Sequence, residues 1–172
     1  MLQNLFLSKE KINSDINDDI DILRLIRSQN VGVKTFFNLI NLFGSATIAI
    51  DNIKDFSLKG GRKKPIDICS KFEAEKEIEL LHKNNAKLLT YKDSKYSKLL
   101  LAISDPPPVI SYKGNIELLS QLKTIAIVGT RNASTNGRMF AAKISLELLK
   151  NDFILVSGLA KGIDSTIHEV DT

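Results

Sequence analysis

The sequence has 172 residues and a net charge of +4, with 43% hydrophobic and 26% charged residues. That balance excludes a disordered chain and fits one or two small folded domains, whose core falls to Ile, Leu and Phe because Trp is absent. No stretch approaches the roughly 20 apolar residues of a membrane-spanning helix, and the single Cys69 excludes an intrachain disulfide. A cytoplasmic location is expected, with no membrane partner.

The chain opens on a short apolar start, MLQNLFLSKEKINSDINDD, which lacks the basic segment and long apolar core of a secretion signal. DIDILRLIRS then places Ile22, Leu25 and Ile26 on one helical face with Leu23 beside it, and Asp18 or Asp19 favours the helix N-terminus. In VGVKTFFNLINLFGS, Val33, Phe36, Phe37, Ile40 and Phe43 form a second apolar face. Gly44 supplies a C-cap and Ser45 an N-cap for a short third helix. The turn Val31-Gly32-Val33 between the first two helices fits two readings. One is a helix-hairpin-helix whose turn amides meet a DNA phosphate; the other is a plain helical packing module. Only one of the two usual turn glycines is present.

SLKGGRKKP, residues 57 to 65, carries Lys59, Arg62, Lys63 and Lys64 around a glycine pair. It reads as a solvated boundary loop, with nucleic-acid contact as the second reading. The expected division is a helical domain over 1–64, with this basic linker, and an α/β portion over 65–172. Ser70 and Glu73 form a capping box for a helix running to about residue 84, with Phe72, Ile78 and Leu81 inward. Beyond residue 86, AKLLT, VISY, TIAIV and FILVS read as strands, and IELLSQ as a short helix. Residues 136–150 form a longer helix with Met139, Ala142, Leu146 and Leu149 on its apolar face, and GIDSTIHEV opens a last helix. Strands alternating with helices imply a parallel sheet covered on both faces.

The informative inference joins two loops. Strand 125–128, the helix after it and strand 153–156 form one βαβ unit, whose parallel strands present their carboxyl ends at the same edge. Gly129-Thr130-Arg131 leaves the first strand and Ser157-Gly158-Leu159-Ala160-Lys161-Gly162 leaves the second. Gly129 and Gly158 admit close approach of a ligand to the backbone, and amides at the starts of the following helices favour an anion. Arg131 adds a planar fork suited to phosphate and Lys161 a mobile charge, while Ser134 and Thr135 can cap the helix or donate to a phosphate oxygen. Two cations beside two amide nests suit consecutive phosphates, as in a nucleic-acid backbone. The competing reading is a tight strand-to-helix turn built by Gly158 and Gly162, with Asp164 capping the helix.

Several chemistries lack their residues. GTRNASTNG is neither GxGxxG nor GxxxxGK[ST], and His82 and His168 stand far apart without metal-ligand spacing, so no cofactor or metal is expected. His168 with Asp164 and Ser134 or Ser157 could be imagined as a hydrolytic triad, but nothing marks an activated serine and no catalytic residue is assigned.

At these residues the sequence resembles the DNA-processing protein A (DprA, or Smf) family. IAIVGTRNASTNGR looks like that family's IVGSR-x-x-S-x-YG-R motif, and VSGLAKGIDSTIH like its VSG-x-A-x-GID-x-x-AH motif. YSKLLLAISDPPPVISYKGN is similar to its YP-x-L-x-x-I-x-D-PP-x-x-LY-x-KGN segment, and the helices containing VGVKTFFNLINLFGS to its N-terminal domain. The resemblance covers nearly the whole chain from about residue 18. It implies an α/β protein: an N-terminal helical (helix-hairpin-helix or SAM-like) domain followed by the first part of a Rossmann-like parallel-sheet domain.

It further implies a non-enzymatic protein that binds single-stranded DNA and loads the RecA recombinase in natural transformation, with homodimerisation in full-length members. On this basis Arg131 and Lys161 carry the DNA phosphates, and Gly129, Thr130, Ser157, Gly158 and Gly162 shape the site, with Ser134 counted among the phosphate-binding residues from its place at the helix start. Thr130 stands for the commoner serine, Asn136 for a tyrosine, Ser97 for a proline and Ile167 for an alanine. The family continues beyond HEVDT with further strands and helices, so the sequence is expected to be its truncated N-terminal portion. The rivals are a Rossmann-like nucleotide hydrolase using Asp164, and a remnant unable to form the DNA site.

Overall fold

The computed structural model describes residues 18–61, 63–121 and 123–170. The apolar N-terminal start and Arg62 of the basic loop lie outside them. The chain divides into two compact units, Met1–Ile116 and Glu117–Thr172.

In the first unit, helix α1 covers residues 18–27, followed by α2 (Val33–Phe43), α3 (Ala46–Lys59) and α4 (Lys71–Lys83). The punctuation expected from the sequence is in place. Gly44 ends α2 at φ +83°, a left-handed conformation that a Cβ disfavours, and the Ser45 side chain accepts the Ile48 amide to start α3. That third helix runs 14 residues, longer than expected. Ser70 accepts the Glu73 amide at 3.2 Å, and the Glu73 carboxylate accepts the Ser70 amide at 2.9 Å, completing the capping box. On α4 the inward residue is Ala74; Ile78 and Leu81 are half-buried, and Phe72 is 72% exposed.

The core of this unit gathers Ile22 and Leu25 of α1, Phe36 and Leu39 of α2 and Ala46, Ala49, Ile50 and Ile53 of α3. Phe36, Phe37 and Tyr91 meet edge-to-face with centroids 5.2–5.8 Å apart, a geometry that aligns positive ring edges with negative ring faces. Tyr91 follows β1 (Lys87–Thr90), which pairs with β2 (Val109–Tyr112) beyond the short helix α5 (Lys98–Leu101). The pairing is antiparallel, Lys87 opposite Tyr112 and Thr90 opposite Val109. These strands therefore form their own ribbon and take no part in a parallel sheet. Polar ties reinforce the packing: Thr90 Oγ1 donates to Asp19 at 2.9 Å, and Arg27 donates two bonds to Glu77. Cys69 is half-buried and free, and burial pushes its thiol above the usual range, away from the reactive thiolate.

A 3₁₀ turn, Ile116–Ser120, straddles the division between the units. The second unit then holds β3 (Thr124–Ala126), α6 (Thr135–Lys150), β4 (Ile154–Val156) and α7 (Ile163–Glu169). β3 and β4 are parallel neighbours, so the expected parallel sheet exists here, as two short strands. No residue of either strand is fully buried. α6 contacts β4 and α7, and its buried residues are Ala141 and Ser145, while Met139 is 67% and Leu146 43% exposed. The inward stripe is thus set by small residues that let the helix come close; of the expected face, Ala142 and Leu149 are half-buried and Met139 and Leu146 lie outward.

No single described helix is long and apolar enough to cross a membrane.

Two stability tests follow from these details. Ser145 Oγ is buried without a hydrogen-bond partner among the described residues. Ser145→Ala removes that unpaired hydroxyl and adds helix propensity, and it should stabilise the protein by roughly 1 kcal/mol in urea unfolding. Bonds from Ser70 hold the Glu73 carboxyl below its ordinary range. Its contribution is therefore present above the unfolded-state value and lost as pH falls through the folded-state value. Glu73→Ala should be less stable than the parent at neutral pH, with the gap narrowing on acidification.

Candidate nucleic-acid interface

The register of the parallel pair decides where the two loops go. Ile125 lies opposite Leu155 and Ala126 opposite Val156, and the Ile127 amide extends the ladder to Val156 O at 2.9 Å. Both chains therefore run off the same carboxyl edge, and all eight residues expected at the site emerge there. Gly129, Thr130, Arg131, Ser134, Gly158 and Lys161 are exposed, Ser157 is half-buried and Gly162 is buried.

A buried carboxylate holds the edge together. Asp164 is 5% exposed; its Oδ1 accepts the Gly129 amide at 3.3 Å and its Oδ2 the Gly158 amide at 3.1 Å. One side chain from α7 thus spans both loops. A third tie, Ile163 N to Thr130 O at 3.3 Å, joins α7 to the first loop again. Asp164 makes no cap on its own helix, whose N-cap is Gly162. A carboxylate near a helix start reads as a dipole or capping group, so its bridging role was not visible in the sequence. The signal that could have found it is an acidic residue inside an apolar, glycine-flanked turn, where only backbone amides are near enough to satisfy it.

The glycines serve this interlock. A Cβ on Gly162 would lie 2.2 Å from Thr130 O and 2.6 Å from Arg131 O, and its φ of +90° is itself unfavourable to an L side chain. A Cβ on Gly129 would meet Ile163 Cγ1 at 2.6 Å. The amides of Gly129 and Gly158, where a ligand was expected to approach the backbone, are occupied by Asp164.

What remains for a ligand is cationic and open. Neither Arg131 nor Lys161 forms an ion pair among the described residues. Ser134 N-caps α6 by accepting the Gly137 amide at 3.2 Å, which aims the N-terminus of a 16-residue helix at the same edge. Thr130 Oγ1 accepts the Asn132 amide at 3.2 Å and fixes the loop behind Arg131. Ser157 Oγ lies 2.7 Å from His168 Nε2 and accepts the Leu159 amide at 3.1 Å, so its hydroxyl is tied within the protein. No group of metal-ligating side chains forms among the described residues.

Comparison with known proteins covers both these loops and the helices that precede them. A family profile for DNA recombination-mediator protein A matches residues 87–171, and one for the DprA-like N-terminal HHH domain matches residues 17–79. The chain belongs to the DNA-processing protein A family. Every residue expected at the DprA site falls inside the first match. Protein Smf of Synechocystis sp. is 40% identical over 94 residues, which are 53% of this chain and 24% of that protein. The DNA processing protein DprA of Bacillus subtilis is 41% identical over 73 residues, and that of Streptococcus pneumoniae 42% over 76. The chain spans about a quarter of the length of these curated relatives.

The crystal structure of Streptococcus pneumoniae DprA matches this fold with a TM-score of 0.52 at 24% identity, over 88% of this chain and 48% of that one. The fold is thus the DprA arrangement of a helical N-terminal domain followed by a small parallel sheet.

Asp164→Asn leaves one of the two glycine amides facing an NH₂ group. It should destabilise the second unit by about 1–3 kcal/mol, read as faster hydrogen exchange at the Gly129 and Gly158 amides.

Proposed function

We propose that the carboxyl edge of β3 and β4 binds the phosphates of single-stranded DNA. The observation that carries this reading is the pair of exposed cations, Arg131 and Lys161, without an ion pair among the described residues, on two loops that Asp164 holds at one edge. A planar guanidinium and a mobile ammonium on two loops at one sheet edge suit successive phosphates of a strand without reading its bases. Binding is then sequence-tolerant and falls steeply with salt.

Family membership supports extending this to a role in DNA processing for transformation and recombination. In this reading the protein works in the cytoplasm, protects single strands and passes them to the RecA recombinase, with homodimerisation as in full-length members. It acts by binding and not by catalysis. Both oxygens of Asp164, the carboxylate that a nucleotide hydrolase would need, already accept amides, which favours the binding role.

Arg131→Ala and Lys161→Ala should each weaken oligothymidine binding and flatten the dependence of log affinity on log salt by roughly one unit. Fluorescence anisotropy across a salt series measures both quantities. Unchanged affinity in both variants would remove the site assignment.

A further inference from the structure

Leu159 stands out on three counts. It is 77% exposed, the highest of the large hydrophobic residues exposed among the described residues. Its φ is +53°, in the left-handed region. The other described non-glycine residues there, Asn30, Asn85 and Asp152, are of the types that tolerate it, whereas leucine does not. It is also clamped: its amide donates to Ser157 Oγ, which is held by His168 Nε2, and the preceding amide of Gly158 is held by Asp164.

An apolar side chain is therefore kept out in solvent, in a strained backbone conformation, by a chain of specific bonds. Strain of this kind persists where the surroundings over-determine it, and it concentrates at ligand-binding positions. Its location is as specific as its conformation. Leu159 lies two residues before Lys161 on the same loop, whose Gly162 packs against the Arg131 carbonyl.

We propose that Leu159 is an apolar contact for a nucleobase of the strand whose phosphates lie on Arg131 and Lys161. The inference rests on the DNA-binding reading and deepens it by naming the part of the nucleotide recognised. A single strand alternates charged phosphates with unstacked, largely apolar base faces, so a site that carries it needs cations with an apolar surface beside them. Every base offers such a face, which keeps recognition sequence-tolerant. A duplex hides its base faces in the stack, so Leu159 also favours single strands over double.

The test uses the 172-residue chain, an oligothymidine and an abasic oligomer of equal length and charge. Leu159→Asn removes the apolar surface with a residue that accepts the left-handed conformation, so the loop is kept. It should weaken oligothymidine binding about fivefold or more, leave abasic binding unchanged and leave the salt slope unaltered. Leu159→Met should bind both oligomers like the parent.

Equal loss on both oligomers, or no loss on oligothymidine, overturns the role of Leu159 while the parent's binding keeps the DNA reading intact. If the parent binds neither oligomer, the DNA reading falls and this inference with it.

Discussion

The second unit depends on one carboxylate. Asp164, buried between two loops from neighbouring parallel strands, accepts a glycine amide on each oxygen. A buried carboxylate in that position is acceptable because each of its oxygens accepts a backbone amide. The rest of the edge conforms to it: Ile163 fills the space above Gly129, and Gly162 lies against the carbonyls of Thr130 and Arg131. These bonds join the two loops through the protein itself, so in the proposed DNA-binding role the backbone that carries Arg131 and Lys161 is set beforehand, which lowers the ordering cost of binding.

The two units are stabilised in different ways. The first unit has a core in the usual sense, with three helices closing over Phe36, Ile22, Leu25 and Ile53, and an aromatic trio that joins them to the β1–β2 ribbon through Tyr91. The second has three-residue strands, a helix that contributes Ala141 and Ser145 to the interior, and a seven-residue helix after the loops. There, hydrogen bonds and close backbone approach replace bulk. Such an interface tolerates little change in shape, because a narrow contact between backbones has no flexible side chain to absorb an added atom.

Features with a local chemical cause were legible in the sequence. Gly44 at a left-handed C-cap, the Ser70–Glu73 capping box and Ser134 at the start of α6 each depend on residues within a few positions of one another. So did the strand–loop–helix pattern that brings the loops after β3 and β4 to one edge. Strand direction was not legible for β1 and β2, because a four-residue apolar run carries no sign of whether its partner runs with it or against it. Phe72 on α4 and Met139 and Leu146 on α6 were misplaced for a shared reason. Periodicity weights large side chains such as Phe72 and Met139, whereas close packing selected Ala74, Ala141 and Ser145. The bridging role of Asp164 was hidden because its partners are backbone amides 35 and 6 positions away, which no side-chain motif records.

The residue that ties the two loops belongs to neither of them. It sits on α7, whose seven residues run only from Ile163 to Glu169. Fraying of that short helix would release both loops in one event, although it carries neither cation. The edge therefore closes on α7 as a latch on one bar, because Ile163, Asp164 and His168, all of that helix, hold the two loops between them.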